Sequence, residues 1–321
     1  MRTDSFLMRR CARTSLLGAV SAAIVLLLLG IVPASTALPA SAGSKNAVID
    51  AIGAENQYAN VLSQIGGKYV KVSSILDNPN TDPHTFEASP RVAEEVSDAQ
   101  LIVQNGVGYD GFMNDMESAS PNSHRVVIVV QHVLDLPDST TNPHLWYSPT
   151  TMPKVAAVMA ADLGKLDPLR AAYFEANVSA FDASLQPWVN AIAAYKSAHR
   201  GTPVAVTEPV ADYLLEAMGM KILTPFVFQS DIMNGVDPSP EDITLEDNLF
   251  TKHEVKVFCY NQQVVDALTS SFKGAAKAAH VPVVGVYETM PTPGYDYQTW
   301  MMAELSAIEK AVEHHKSTEK L

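Results

Sequence analysis

The sequence predicts an α/β protein of two lobes, each built on a parallel sheet and joined by a long helical segment. Three observations predict it. Short β-branched runs alternate with helical stretches up to about residue 150 and again after residue 200, the pattern of parallel sheets flanked by helices. Between residues 152 and 198 strand signal is almost absent, while Ala, Leu and aromatic residues recur at helical spacing. The chain has 321 residues, 47% of them hydrophobic and 18% charged, which gives room for about two well-cored domains and excludes a disordered chain.

The first 42 residues stand apart. Arg2, Arg9, Arg10 and Arg13 precede an apolar run over 16–32, and small-residue sites follow at Ser35-Thr36-Ala37 and Ala40-Ser41-Ala42. This is the charge, core and cleavage pattern of a secretory signal peptide. The competing reading is an uncleaved anchor, but the core is short of the about 20 apolar residues a spanning helix needs. No cysteine follows the apolar core, so a lipid anchor at this site is not supported. Cys259, alone once residues 1–42 are removed, reads as a buried strand residue rather than half of a disulfide. Residues 1–42 carry four Arg and one Asp, so their loss takes the formal charge from −13 to −16. So acidic a chain lacks the basic face that nucleic acid requires and concentrates cations near its surface.

The elements follow in order. The first lobe, 43–150, takes strands at 47–52, 70–76, 101–106 and 125–129, with helices through Tyr58 and Leu62 and from Pro90 through Val96. The linking helical segment, 151–199, is interrupted at Asp167-Pro168 and kinked or restarted at Pro187. The second lobe, 200–321, takes strands at 203–207, 255–260 and 281–287 and helices over 210–218, 264–279 and 297–315. Residues 226–240 read as a polar, Gly/Pro-rich loop, with a helix resuming at Asp242. In open parallel sheets ligands bind beyond the carboxyl ends of the strands. Two facing lobes make a cleft there.

One segment is echoed sixty residues on. Thr81-Asp82-Pro83-His84-Thr85-Phe86-Glu87-Ala88-Ser89-Pro90 and Asn142-Pro143-His144-Leu145-Trp146-Tyr147-Ser148-Pro149 share Pro-His, an aromatic two places later, then Ser-Pro. Proline stiffens the backbone before each imidazole, and Ser-Pro suits a helix start, with Ser as N-cap and Pro at the first helical position. Each copy reads as an exposed turn that aims a histidine and then feeds a helix. Two such turns suggest two ligands for one ion. In the second lobe, strand 203–207 runs into Glu208 and strand 281–287 into Glu288. Two imidazoles and two carboxylates suit a divalent first-row ion, whose charge the carboxylates neutralise. The absence of thiolates disfavours copper(I) or a structural zinc site.

Singly, each of these residues has an ordinary reading, a packed or capping His or a solvated loop Glu. The repeated flanks and the strand-end placement favour His84, His144, Glu208 and Glu288 as one site. Phe86 and Trp146 are expected to pack under the two turns and orient them. Asp212, one helical turn from Glu208, is a candidate helper. His124, His132, His199, His253 and His280 read as surface residues, and His314-His315 as a solvated helix end rather than an extra clasp.

Asp82-Pro83-His84-Thr85-Phe86-Glu87-Ala88-Ser89-Pro90 is close to the D-P-H-x-[YF]-E-x-[ST]-P signature of a known family, and Asn142-Pro143-His144-Leu145-Trp146 is similar to its D-P-H-x-W signature, with Asn for Asp. Over about residues 46–312 the chain resembles the metal-binding receptors of bacterial ABC importers for zinc and manganese, the cluster A-I solute-binding proteins. Thr207-Glu208-Pro209 looks like the family's His-Pro or Glu-Pro segment before a helix, and Glu288 falls where most members place Asp or Glu. The resemblance implies two α/β lobes joined by one long rigid helix, with the metal site in the interlobe cleft and ligands at His84, His144, Glu208 and Glu288. It implies an exported, periplasmic or extracytoplasmic receptor whose cargo is one divalent ion. It implies delivery to the membrane permease of an ABC importer. The receptor is expected to be a monomer, held at the membrane through that permease or an uncleaved N-terminal segment. Residues 85–143 carry only His124 and His132, not the His-rich loop of many zinc-dedicated members. Glu208 resembles manganese-type members, and an oxygen-richer site accepts manganese, iron(II) or zinc. A metallohydrolase is the less favoured alternative, because there is no His-Glu-x-x-His and four protein ligands leave no open position for water. A metal-binding adhesion or interaction protein is the other.

Overall fold

Two parallel sheets of four strands each carry the fold, and both have the same strand order. The computed structural model describes residues 48–80, 83 and 86–321, so the signal segment predicted over 1–42 lies outside the described residues. The first sheet holds β1 (Ile49–Glu55), β2 (Val70–Leu76), β3 (Leu101–Gln104) and β4 (Val126–Val129) in the order β2-β1-β3-β4. The second holds β5 (Pro203–Val206), β6 (Lys221–Ile222), β7 (Val257–Asn261) and β8 (Val283–Val286) in the order β6-β5-β7-β8. Every neighbouring pair is parallel. The central strands β3 and β7 are buried along their whole length, which is why they read as apolar runs rather than alternating ones. In each sheet the chain leaves the first strand to one side and returns on the other. The crevice for a ligand therefore lies at the carboxyl ends of β1 and β3, and of β5 and β7.

Helices cover both sheets. In the first half these are α1 (Asn56–Gly66), α2 (Pro90–Asp98), α3 (Gly111–Ala119) and the single turn α4 (Val130–Val133). Ser89 caps α2 as its sequence predicts, accepting from the Val92 N–H with Pro90 in the first turn. The linking segment is two helices, α5 (Thr151–Leu166) and α6 (Ala171–His199). They part at Asp167-Pro168, where the Asp167 carboxylate accepts the Leu169 N–H. Pro187 neither ends nor restarts α6. The proline is exposed, while Leu185, Trp188 and Ile192 are buried around it, and that packing outweighs the roughly 3 kcal/mol of its helix penalty.

The second half adds α7 (Asp212–Ala217), α8 (Phe226–Met233), α9 (Pro240–Thr251), α10 (Ala267–Ala278) and α11 (Tyr297–His314). Here the 226–240 loop reading is corrected. Its first half is α8, which sends Phe228 and Ile232, one turn apart, into a cluster with Phe250, Phe258 and Phe272. The Gly235, Pro238 and Pro240 that follow masked that spacing.

Residues 46–321 form one compact unit. An aromatic layer runs through it: Trp146 meets Tyr58 edge-on at 6.4 Å, Tyr147 meets Trp300 at 5.6 Å, and Trp188 meets Tyr297 at 6.2 Å. Each edge-on pair adds about 0.5–1.5 kcal/mol beyond its burial. The Tyr297 hydroxyl donates to the Trp146 carbonyl at 2.6 Å. Because α6 packs on both α1 and α11, the two sheets are tied by helix as well as by this layer. Cys259 is a free, buried residue of β7, as its sequence context predicts.

Candidate metal centre

The carboxyl ends of both sheets meet around Glu288. The strand-end rule places the groups: β5 runs through Thr207 into Glu208, β8 through Tyr287 into Glu288, and β7 ends on Asn261. From the first half, Tyr109 follows β3 and the 142–147 turn follows α4. Glu208, Glu288, His144 and Asn261 are all buried.

Their hydrogen bonds fix the geometry. The Tyr109 hydroxyl donates to Glu288 Oε2 at 2.9 Å, and His144 Nε2 lies 3.3 Å from the same oxygen. The Asn261 amide donates to Glu288 Oε1 at 2.6 Å and to Glu208 Oε2 at 3.2 Å. Gln263 Oε1 accepts the backbone N–H groups of Glu288 and Thr289 at 2.7 and 2.8 Å, and Gln57 donates to the Glu288 carbonyl at 3.3 Å. Glu288 is therefore held at both its backbone and its side chain before any ion arrives.

The His144 turn is buried, not exposed as its sequence suggests. Nor does Ser148 cap α5. A short 3₁₀ turn over Leu145–Tyr147 intervenes, and α5 starts at Thr151. The turn takes its place from backbone carbonyls. Asn105 donates to Pro143 O at 2.8 Å, Tyr213 to Asn142 O at 3.0 Å, and the Tyr147 hydroxyl to Tyr287 O at 2.8 Å. Asn142 has two roles. Its Nδ2 donates to Pro209 O at 2.9 Å, beside Glu208, while its Oδ1 accepts the His144 N–H at 3.0 Å and faces His144 Nδ1 at 2.8 Å. Because Oδ1 can only accept, Nδ1 carries the ring proton. In the neutral ring His144 Nε2 then presents its lone pair to Glu288 Oε2. Two acceptors 3.3 Å apart require a cation between or beside them, a proton or a metal ion. An aspartate at 142 would orient the imidazole equally well but would set a carboxylate oxygen against the Pro209 carbonyl.

The other sequence candidates fall as follows. His84 lies outside the described residues. Trp146 is fully buried and meets the His144 ring edge-on at 5.4 Å, whereas Phe86 packs on Phe112 at 4.7 Å. Asp212 is the buried first residue of α7, and desolvation, then the neighbouring Glu216 charge, push its carboxyl up to about 8. A carboxyl held neutral in this way is a poor ligand. His314 ends α11 and His315 is its left-handed cap at φ 52°. His199 pairs with Glu313 at 2.8 Å, and His253 and His280 follow the ends of α9 and α10. Among the described residues no three His, Cys, Asp or Glu side chains are gathered closely enough to hold an ion by themselves. Asn261 bridges Glu208 and Glu288.

A sequence model of the ZnuA family, described as the periplasmic component A of a zinc-uptake complex, matches residues 54–311. The chain belongs to this family. ZnuA-family proteins are metal-binding solute receptors, not enzymes. Among curated members, the chain is 22% identical to the manganese-binding lipoprotein MntA of Bacillus subtilis over 72% of this chain and 76% of that one. It is 21% identical to the high-affinity zinc uptake protein ZnuA of the same organism over 74% and 80%. The fold matches that of the periplasmic zinc-binding protein TroA of Treponema pallidum, with a TM-score of 0.70 at 16% identity over 84% of this chain and 99% of that one. Among the described residues no helix is long and apolar enough to cross a membrane.

Sequence reasoning missed Asn261 and Tyr109. Asn261 is the residue after the strand read over 255–260, so the strand-end rule pointed at it. An amide is not a usual transition-metal ligand, so that rule alone does not single it out. Nothing in the sequence marks Tyr109, whose partner is 179 residues away.

Proposed function

We propose that the protein is an extracytoplasmic receptor that captures one divalent transition-metal ion, zinc or manganese, and hands it to the membrane permease of an ABC importer. The ligands are His84, His144, Glu208 and Glu288, and the ion sits in the cleft between an N-terminal lobe ending near residue 150 and a C-terminal lobe starting near residue 200. The observation that carries this reading is His144 Nε2 lying 3.3 Å from Glu288 Oε2, in a buried seam lined from both halves. The donor chemistry fits: neutral imidazole and carboxylate bind first-row ions, and two carboxylates cancel the ion's charge. Members named for zinc and for manganese are about equally similar to this chain, and the donor set accepts either ion.

Asn142 keeps His144 in the tautomer that offers Nε2. Tyr109, Asn261 and Gln263 hold Glu288 in place, so little ordering remains to be done when the ion enters. Titration of chelator-stripped protein with zinc and with manganese tests the reading. One equivalent is expected to bind, and Glu208→Ala and Glu288→Ala are each expected to weaken binding far more than His314→Ala or His315→Ala. Equal effects at the two carboxylates and the two tail histidines would mean that the ligand set is misassigned.

A further inference from the structure

A cavity of about 600 Å³ opens at the amino ends of β7 and β8, the opposite ends of those strands from the metal centre. His253, His280 and His315 line it with Lys256, Lys277 and Ser317, and no Asp or Glu is among its lining residues. That composition runs against a chain whose formal charge is −13. The Lys277 ammonium is held by Glu319 at 2.7 Å. Lys256 and the three imidazoles form no side-chain hydrogen bond or ion pair with any described residue. Ser317 Oγ accepts the Val283 N–H at 3.0 Å, which leaves its own hydroxyl proton to donate.

The backbone marks the same three histidines. Helices α7 and α8 end in Schellman motifs with glycine at the left-handed position. Gly219 N–H donates to Glu216 O and Met220 N–H to Leu215 O, while Gly235 N–H donates to Ile232 O and Val236 N–H to Asp231 O. Helices α9 and α10 end in the same motif with His253 and His280 in glycine's place, both at φ 56°, and His315 caps α11 at φ 52°. An L residue is strained in this conformation and glycine is not. The chain thus carries the strain at the three helix ends that rim the cavity, and uses glycine at two neighbouring ends that do not. Backbone strain of this kind gathers at ligand sites. A metal ion does not fit, because no three His, Cys, Asp or Glu side chains among the described residues are close enough to hold one, and Lys256 stands among the imidazoles. We propose that the cavity is a second binding site, for a phosphate group, whose oxygens accept from Lys256 and from the imidazoles of His253, His280 and His315. Hydrogen bonds of an ammonium to phosphate are among the strong ones. The carbonyl ends of helices oppose an anion, but here the Schellman bonds occupy the carbonyls of Leu249, Phe250, Ala276 and Lys277, and the side-chain donors set the sign of the field.

Calorimetric titration of the metal-free chain with inorganic phosphate and with pyrophosphate tests the site, and one equivalent is expected to bind. The double variant His253→Gly, His280→Gly removes two donors and relieves the strain at both caps. Its melting temperature is expected to stay or rise while its phosphate dissociation constant rises about tenfold or more. Lys256→Gln leaves every cap intact and is expected to weaken phosphate to a similar degree. Zinc titrated in phosphate-free buffer is expected to bind all three proteins alike, and a parallel loss of zinc affinity in the variants would mean general damage and overturn the assignment. Sedimentation with phosphatidylglycerol vesicles that Lys256→Gln abolishes would assign the phosphate to a lipid headgroup, and phosphate binding without such sedimentation would assign it to a soluble molecule. Wild-type protein that binds neither phosphate nor pyrophosphate, or variants that bind them as tightly as wild type, would overturn the proposal and leave the histidines as caps alone.

Discussion

The residue whose chemistry changes most between sequence and structure is Asn142. In the sequence it is an Asn where the related signature has Asp. In the folded chain its amide joins the His144 turn to the Pro209 carbonyl while its oxygen sets the imidazole tautomer. Asn142→Ala is expected to weaken metal binding about 10- to 100-fold, the usual consequence of removing a ligand's hydrogen-bond partner, and to cost about 1–3 kcal/mol of stability, because the buried His144 N–H and Pro209 carbonyl lose theirs. Asn142→Asp should keep the tautomer and still weaken binding, because its carboxylate faces the Pro209 carbonyl. Calorimetric titration of the two variants checks both outcomes. His144, Glu208 and Glu288 were legible because a repeated motif and strand ends are local signals. Asn261 and Tyr109 were not, because an amide and a phenol gain their roles only from contacts across 27 to 179 residues of chain. Burial was the least legible property. The His144 turn reads as exposed, yet Trp146 beneath it and the aromatic layer around it leave it buried.

Among the helices, α11 is linked to the site through Glu304. Its buried carboxyl takes the Trp300 indole N–H at 2.9 Å and lies 3.1 Å from the Tyr147 hydroxyl, which reaches the Tyr287 carbonyl next to Glu288. Desolvation pushes the Glu304 carboxyl up to about 8, so near neutrality it is largely protonated. Glu246 in α9 is likewise pushed up to about 8 by burial. A carboxyl raised in the folded state binds more protons there than in the unfolded chain. Its stabilising contribution is complete below the ordinary carboxyl range and is lost as pH rises toward 8. Metal-free protein is therefore expected to lose stability between about pH 5 and 9, and Glu304→Gln, which keeps a neutral acceptor for Trp300 and Tyr147 without the titration, should flatten part of that slope in urea unfolding series. In α6, Pro187 is exposed and leaves one backbone carbonyl without its helical donor. Pro187→Ala is expected to stabilise the chain by about 1–3 kcal/mol in the same assay. The break at Asp167-Pro168 was legible because Pro, preceded by a capping Asp, forbids helix locally. At Pro187 the sequence left a kink or a restart open, and tertiary packing decides for one continuous helix.

Across the chain, two sheets of identical topology present their carboxyl ends to one seam; the parallel sheets followed from the alternation of strand and helix signals, but the shared strand order did not. The two-residue strand β6 and helix α8 lay below what local patterning reveals. A bound ion that joins both halves in the folded state and has no preformed site in the unfolded chain must raise the melting temperature. Its effect should grow as pH rises, because the ligands shed protons, while the metal-free protein loses stability over the same range. These opposite slopes distinguish ion binding from a general effect of pH, and differential scanning calorimetry with and without metal reads both. The most direct test is anomalous diffraction from crystals of the metal-loaded protein at the absorption edge of the bound ion. A single peak within about 2.0–2.2 Å of His84, His144, Glu208 and Glu288 is the predicted result for zinc. A peak elsewhere, or any of those four side chains beyond bonding distance of it, would contradict the account.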